Sequence, residues 1–157
     1  MMKIILIHGN SGGTAEDYWF PYVKKELENS ELTIIAKTFP DNDFAREKYW
    51  MPFLKDELKA DEHSILLGWS SGGTLAMRFA EKNKLFGSVL VSASYTDLGD
   101  EKEKKSGYFN RPWYWDRIRK NQQWVVQFAS TDDPYIPIVE SRYIHRKLQT
   151  EYYEYTD

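Results

Sequence analysis

Ser64-Ile65-Leu66-Leu67-Gly68-Trp69-Ser70-Ser71-Gly72-Gly73 reads as an aliphatic strand that turns abruptly into a helix. Within it, residues 68–72 spell G-x-S-x-G at a strand end, the context in which that pattern carries chemical meaning. So sharp a turn strains the backbone of its central residue, and the two elements can approach closely only if its neighbours lack side chains. Ser70 would stand at the tip as a candidate nucleophile. The same turn aims the amide of Ser71, at a helix N-terminus, toward a developing oxyanion. A Gly/Ser-rich turn that simply caps a helix is the plainer alternative.

Working outward, short apolar runs alternate with longer amphipathic stretches, as in parallel strands joined by crossover helices. Strands are expected at 2–7, 32–36, 64–67, 88–92, 124–129 and 151–155, and helices at 15–29, 44–59, 73–82, 113–121 and 137–149. Several strands are continuous β-branched and aliphatic runs, as befits a sheet covered on both faces. The implied class is α/β: a single domain over residues 1–157, a three-layer sandwich around a doubly wound, mostly parallel sheet of about six strands in the order 2-1-3-4-5-6. The stretch 95–112 is long, charged in its middle and aromatic at its end, and is expected to form a small flap or cap.

The first strand ends in His8-Gly9-Asn10-Ser11-Gly12-Gly13-Thr14. This loop lacks the Gly-Lys-Ser/Thr ending of a Walker loop, and its glycines miss the dinucleotide spacing G-x-G-x-x-G. It suits a second oxyanion donor, the backbone amide of Asn10, because the sheet order places it beside Ser70 at the switch point between strands one and three. The alternative is that its glycines merely permit a tight turn.

After the fifth strand, Ser130-Thr131-Asp132-Asp133-Pro134-Tyr135-Ile136-Pro137 resembles the D-x-x-V-P segment that presents the acid in α/β hydrolases. Counting back from Ile136-Pro137 selects Asp133, with Asp132 as rival, Asp97 as a more distant one, and ordinary turn chemistry as the plain alternative. The base is harder to find. His63 falls at the opposite end of the sheet, His145 inside the last helix, and His8 in a loop that it more simply braces. The expectation is that a C-terminal loop and helix beyond Asp157 carry the histidine.

Composition narrows the function. The chain has 157 residues, 41% apolar and 16% aromatic, enough for a sizeable core. Its net charge of −3 lacks the basic excess of a nucleic-acid surface. With no cysteine, thiolate nucleophiles, thiolate metal sites and disulfides are excluded, which leaves hydroxyl chemistry as the main nucleophilic route. No apolar run is long enough for a signal core or a membrane span. The expectations are therefore a cytoplasmic protein without metal or cofactor, acting on a small molecule, as a monomer or weak dimer. Trp69, Tyr108 and Trp113 are the aromatics expected to line an apolar substrate pocket, core packing being the alternative for Trp113 and its neighbour Trp115.

Longer strings carry a resemblance. Gly9-Asn10 with Gly12-Gly13, Trp19 with Val23-Lys24-Lys25-Glu26-Leu27, Ala45-Arg46-Glu47, Trp50-Met51-Pro52-Phe53, Ser106-Gly107-Tyr108-Phe109, Arg111-Pro112-Trp113 and Ser130-Thr131-Asp132-Asp133-Pro134 are similar to the retinoblastoma-binding protein 9 family. These are small serine hydrolases of a shortened α/β-hydrolase fold. The resemblance implies Ser70 as nucleophile, Asp133 as acid, and a base three positions beyond Asp157, since Thr156-Asp157 matches the start of the family's T-D-x-G-H segment. The turn, the first loop and the acid together point to cleavage of a small carboxylic ester or amide through an acyl-enzyme. The competing expectations are a noncatalytic protein-interaction module on the same scaffold and a flavodoxin-like nucleotide binder.

Overall fold

The computed structural model describes residues 2–28 and 30–156, so the expected helix end at Asn29 and the Asp157 position lie outside the described residues. Six strands, β1 (Lys3–Ile7), β2 (Thr33–Ala36), β3 (Ser64–Trp69), β4 (Gly87–Val91), β5 (Trp124–Ser130) and β6 (Glu151–Tyr155), form one parallel sheet in the order β2-β1-β3-β4-β5-β6. The helices are α1 (Phe20–Leu27), α2 (Glu47–Pro52), α3 (Ser71–Ala80), α4 (Glu101–Lys104), α5 (Trp115–Lys120) and α6 (Ile138–Leu148), with a π-turn at Phe53–Glu57. Fold class and strand order match the sequence expectation.

Alternation along the strands sorts the core onto two faces. Ile5 and Ile7 of β1 join Leu66, Trp50, Leu54, Ile118, Ile144 and much of α3 on one side. Ile4 and Leu6 join Phe20 and Leu67 on the other, under α1. Helix α3 is buried along its whole length because its first turn is pressed against β1 and β3.

The larger departures from the expected helices each have a local reason. The segment before α1 is a turn: Asp17 accepts from the Thr14 amide and hydroxyl at 2.9 Å, and Tyr18 takes a positive φ of 48°. Pro21, in the first turn of α1, is already suited to a helix start. Residues 44–46 are likewise not helical, since Ala45 has a φ of 54° and Arg46 is extended, clamped to Asp41 by two side-chain bonds of 2.8 and 2.9 Å. Pro52 has no N–H to continue the ladder, and the chain widens after it so that Leu58 N–H reaches the Phe53 carbonyl at 2.9 Å. The expected flap contains a short helix, α4, which Asp100 caps by accepting from Glu103 N–H at 3.1 Å.

Candidate active site

Ser70 lies between β3 and α3 with φ 55° and ψ −114°, outside the regions that L-residues favour. Such a conformation costs of order 1–3 kcal/mol and survives only where its surroundings over-determine it. The glycines show how. A Cβ on Gly72 would sit 2.2 Å from the Ile7 carbonyl oxygen, and one on Gly68 would sit 2.4 Å from Gly72. The strand, the helix and the end of β1 thus meet backbone to backbone, and Ser70 N–H donates to the Val91 carbonyl at 2.8 Å. The Ser70 hydroxyl is half-buried and makes no hydrogen bond among the described residues.

The first loop abuts this turn, since a Cβ on Gly9 would lie 3.7 Å from Ser70 Cβ. The amides of Ser11 and Gly12 donate to Asp43 and Asn42, and that of Gly13 donates back to Asn10. The amides of Asn10 and Ser71, by contrast, have no partner among the described residues. These two donors are near Ser70 in the chain or in space: Ser71 follows it at the start of α3, and Asn10 follows Gly9, which abuts it.

His8 is buried with both ring nitrogens engaged. Phe39 N–H donates to Nε2 at 2.8 Å, so Nε2 is unprotonated and Nδ1 carries the hydrogen it gives to the Gly9 carbonyl at 2.8 Å. Burial holds its pKa below the ordinary value of 6.5. The ring packs edge-on between Phe39 and Trp50. It braces the loop and has no nitrogen left to take a proton from Ser70.

Neither other histidine is placed to act on Ser70. His63 is exposed at the start of β3. His145 donates from Nδ1 to the Thr150 hydroxyl at 2.8 Å, whose own hydrogen goes to Gln127 Oε1 at 2.9 Å, and it stacks on Tyr152.

Asp133 follows β5 at the same end of the sheet as Ser70. One carboxylate oxygen, Oδ1, accepts from the amides of Tyr135 and Ile136 at 2.9 and 3.0 Å, which fixes the side chain in its turn. Oδ2 is unengaged among the described residues. Asp132 is exposed and tied to the Ser130 hydroxyl, while Asp97 accepts from the Gly99 amide at 2.8 Å in a turn of its own.

Of the three expected pocket aromatics, only Trp69 borders the site. Tyr108 is 1% exposed and packed in the core, its hydroxyl unpartnered and its pKa pushed well up by burial, so it offers nothing to a ligand. Trp113 is sandwiched between the Arg78 guanidinium, 3.5 Å from the ring centroid, and Trp115, and its indole N–H donates to the Tyr95 carbonyl at 2.8 Å. Tyr108 therefore packs inward and cannot line a pocket, while Trp113, half-buried, packs against the core, the alternative reading for it. The reason is Arg78, a buried cation that gathers the 108–113 segment around itself.

Two residues beside the site escaped the sequence reading. Tyr18, 81% exposed, stands edge-on to Trp69 with ring centroids 5.1 Å apart. Glu103 of α4 accepts from the Asn10 side-chain amide at 2.6 Å, and burial raises its pKa from the ordinary 4.5. The signal for Glu103 was present: Asp100 and Glu103 have capping-box spacing, which marks a helix start inside the charged stretch. Tyr18 was hidden by the apparent helix of 15–29.

A parallel sheet in this order, with a strained serine between β3 and α3 and a glycine loop against it, defines the α/β-hydrolase class. Comparison with known proteins gives the family. The serine hydrolase family profile matches residues 4–157. The chain is 43% identical over 157 residues to serine hydrolase RBBP9 of Rattus norvegicus, covering 99% of this chain and 84% of the relative. The chain therefore belongs to the serine hydrolase family. Among solved structures, the ydeN gene product of B. subtilis superposes with a TM-score of 0.87 at 22% identity, over 98% of this chain and 84% of that one. The fluorophosphonate-binding serine hydrolase FphF of Staphylococcus aureus gives 0.69 at 13% identity, over all of this chain and 76% of that one. Both show the same fold. No helix among the described residues is long and apolar enough to cross a membrane.

Proposed function

We propose that this serine hydrolase cleaves a small carboxylic ester or amide through an acyl-enzyme on Ser70. The observation that carries the reading is the strained Ser70, whose hydroxyl makes no hydrogen bond among the described residues, with the first loop packed against it. The Ser70 oxygen adds to the carbonyl carbon while its proton passes to an imidazole nitrogen. The amides of Asn10 and Ser71 donate to the oxygen that becomes negative. Collapse of the adduct breaks the bond to the leaving oxygen or nitrogen, which takes that proton, and water repeats the sequence to free the acid and the serine. Asp133 orients the imidazole through its open Oδ2. Trp69 and Tyr18 supply the apolar surface beside the reacting carbon.

The imidazole itself comes, in this proposal, from a loop and helix that follow Asp157. Each described histidine is committed or distant, as set out above. The sheet adds a second argument: on the face opposite α6, Phe128 is half-exposed and Tyr153 and Tyr155 are exposed, whereas a parallel sheet is ordinarily covered on both faces. A helix following β6 would cover them.

A fluorophosphonate probe applied to the complete encoded chain tests the reading. Labelling that disappears in Ser70→Ala is the expected result; no labelling of the wild type, or labelling that persists in the variant, would overturn it.

A further inference from the structure

A sizeable cleft lies away from Ser70. It measures 890 Å³ and lies between α2 with its π-turn, the end of α3, and the 105–111 segment. That is the upper range of pockets that take small ligands or side chains. Part of its surface is apolar, formed by Phe44, Met51 and Pro52.

Its charge sets it apart from the rest of the chain. The lining carries seven cationic and two anionic side chains, in a protein of net charge −3. Both anions are already matched, Glu81 by Arg78 at 2.9 Å and Glu47 by Arg111 at 2.8 Å, and Arg46 is paired with Asp41. Lys48, Lys55, Lys82 and Lys105 are exposed and make no ion pair among the described residues. They come from three separate parts of the cleft wall: α2 and its π-turn, the end of α3, and the residue after α4. Outside the cleft some lysines have a carboxylate partner, as Lys3, Lys24, Lys102 and Lys104 do, and others, such as Lys25 and Lys37, make no ion pair among the described residues; what marks the cleft is that four such cations converge on one concave wall.

We infer that this cleft is a docking site for a short acidic peptide segment of a partner protein. Charge complementarity selects an anionic occupant, and the apolar lining selects one that also carries hydrocarbon side chains. A nucleic acid fits less well, because a long polyanion running past the cleft meets a surface that is otherwise acidic. None of the cleft residues belongs to the Ser70 turn or the first loop, so the inference stands independently of the hydrolytic mechanism.

The test is fluorescence anisotropy with a labelled decapeptide of alternating glutamate and leucine. Controls are the same peptide with lysine for glutamate, a single-stranded oligonucleotide of equal charge, and tripolyphosphate as competitor. The glutamate peptide is expected to bind at low ionic strength, to weaken with salt, and to lose about tenfold in affinity in the exposed-surface variant K55E/K82E/K105E. Ser70→Ala should bind it unchanged. Lys82→Glu alone, with a smaller loss, guards against a misfolded triple variant. No binding by the wild type, equal binding by the charge-reversed variants, or tighter binding of the oligonucleotide or tripolyphosphate would overturn the inference.

Discussion

The Ser70 turn and the 95–115 segment lie near each other yet are held by different physics. The turn is assembled from backbone: Gly68 and Gly72 let three chain segments touch, with Gly72 fitting against Ile7 so closely that no side chain is admitted. The 95–115 segment is assembled from side chains. Arg78 donates to Glu81 and to the carbonyls of Tyr108, Arg111 and Pro112 and lies under Trp113; Glu140 accepts from Tyr95 and Thr96; Glu103 holds Asn10. Contacts of the first kind have no intermediate setting and do not titrate. Contacts of the second kind are chargeable and can be altered one at a time.

The sharpest contrast comes from removing the hydroxyl that the turn presents. Ser70→Ala should lower turnover by about 10⁶ in the complete enzyme, leaving roughly 10³ to 10⁴ of acceleration over water from the remaining groups. Its melting temperature should not fall, because no hydrogen bond is lost and alanine keeps the Cβ, leaving the backbone strain as it was. A large fall would show that the hydroxyl supports the turn.

Breaking the side-chain region should do the reverse, costing stability first. Arg78→Met leaves the Glu81 carboxylate buried without its cation, at a cost of about 3–5 kcal/mol in denaturant unfolding. Gly72→Ala should cost about 3 kcal/mol, because the clash is with backbone that cannot move aside. Were Gly72→Ala tolerated within experimental error, the backbone-to-backbone account of the turn would be wrong.

Smaller effects follow from the two titratable groups at the first loop, and their signs are opposite. The pKa of His8 is lowered in the native state, so its contribution is complete above 6.5 and is lost as pH falls from there toward the lowered native value. The pKa of Glu103 is raised, so its contribution is present below 4.5 and is lost as pH rises through the raised native value. Melting temperature against pH should show Glu103→Gln free of the second loss while the first persists. Because Glu103 positions Asn10, the same variant should change kcat by severalfold, on the order of 1 kcal/mol, with little change in KM.

How much of this was legible in the sequence follows the same division. The six strands, their order and the Ser70 turn could be read directly, because periodicity and glycine spacing are local records of backbone geometry. Strand β6 falls at the expected 151–155. What could not be read rests on contacts distant in sequence. Tyr108 and Trp113 turn inward because Arg78, 30 and 35 residues earlier, is buried beneath them, and no neighbour in sequence announces that. The false helical starts at 15 and 44 arose where side-chain clamps, Thr14 with Asp17 and Asp41 with Arg46, override a helical apolar pattern. The role of His8 as a brace agrees with its reading as part of the loop.

The strand order also has a consequence for how the chain is made. β1 lies inside the sheet, between β2 and β3, and every strand from β4 onward joins the edge left by the one before it. During synthesis the apolar Ile4-Ile5-Leu6-Ile7 would wait with one side open until residue 64 and its successors emerge, about sixty residues later. After that the sheet can lengthen in the order of translation, each new strand finding an edge already in place.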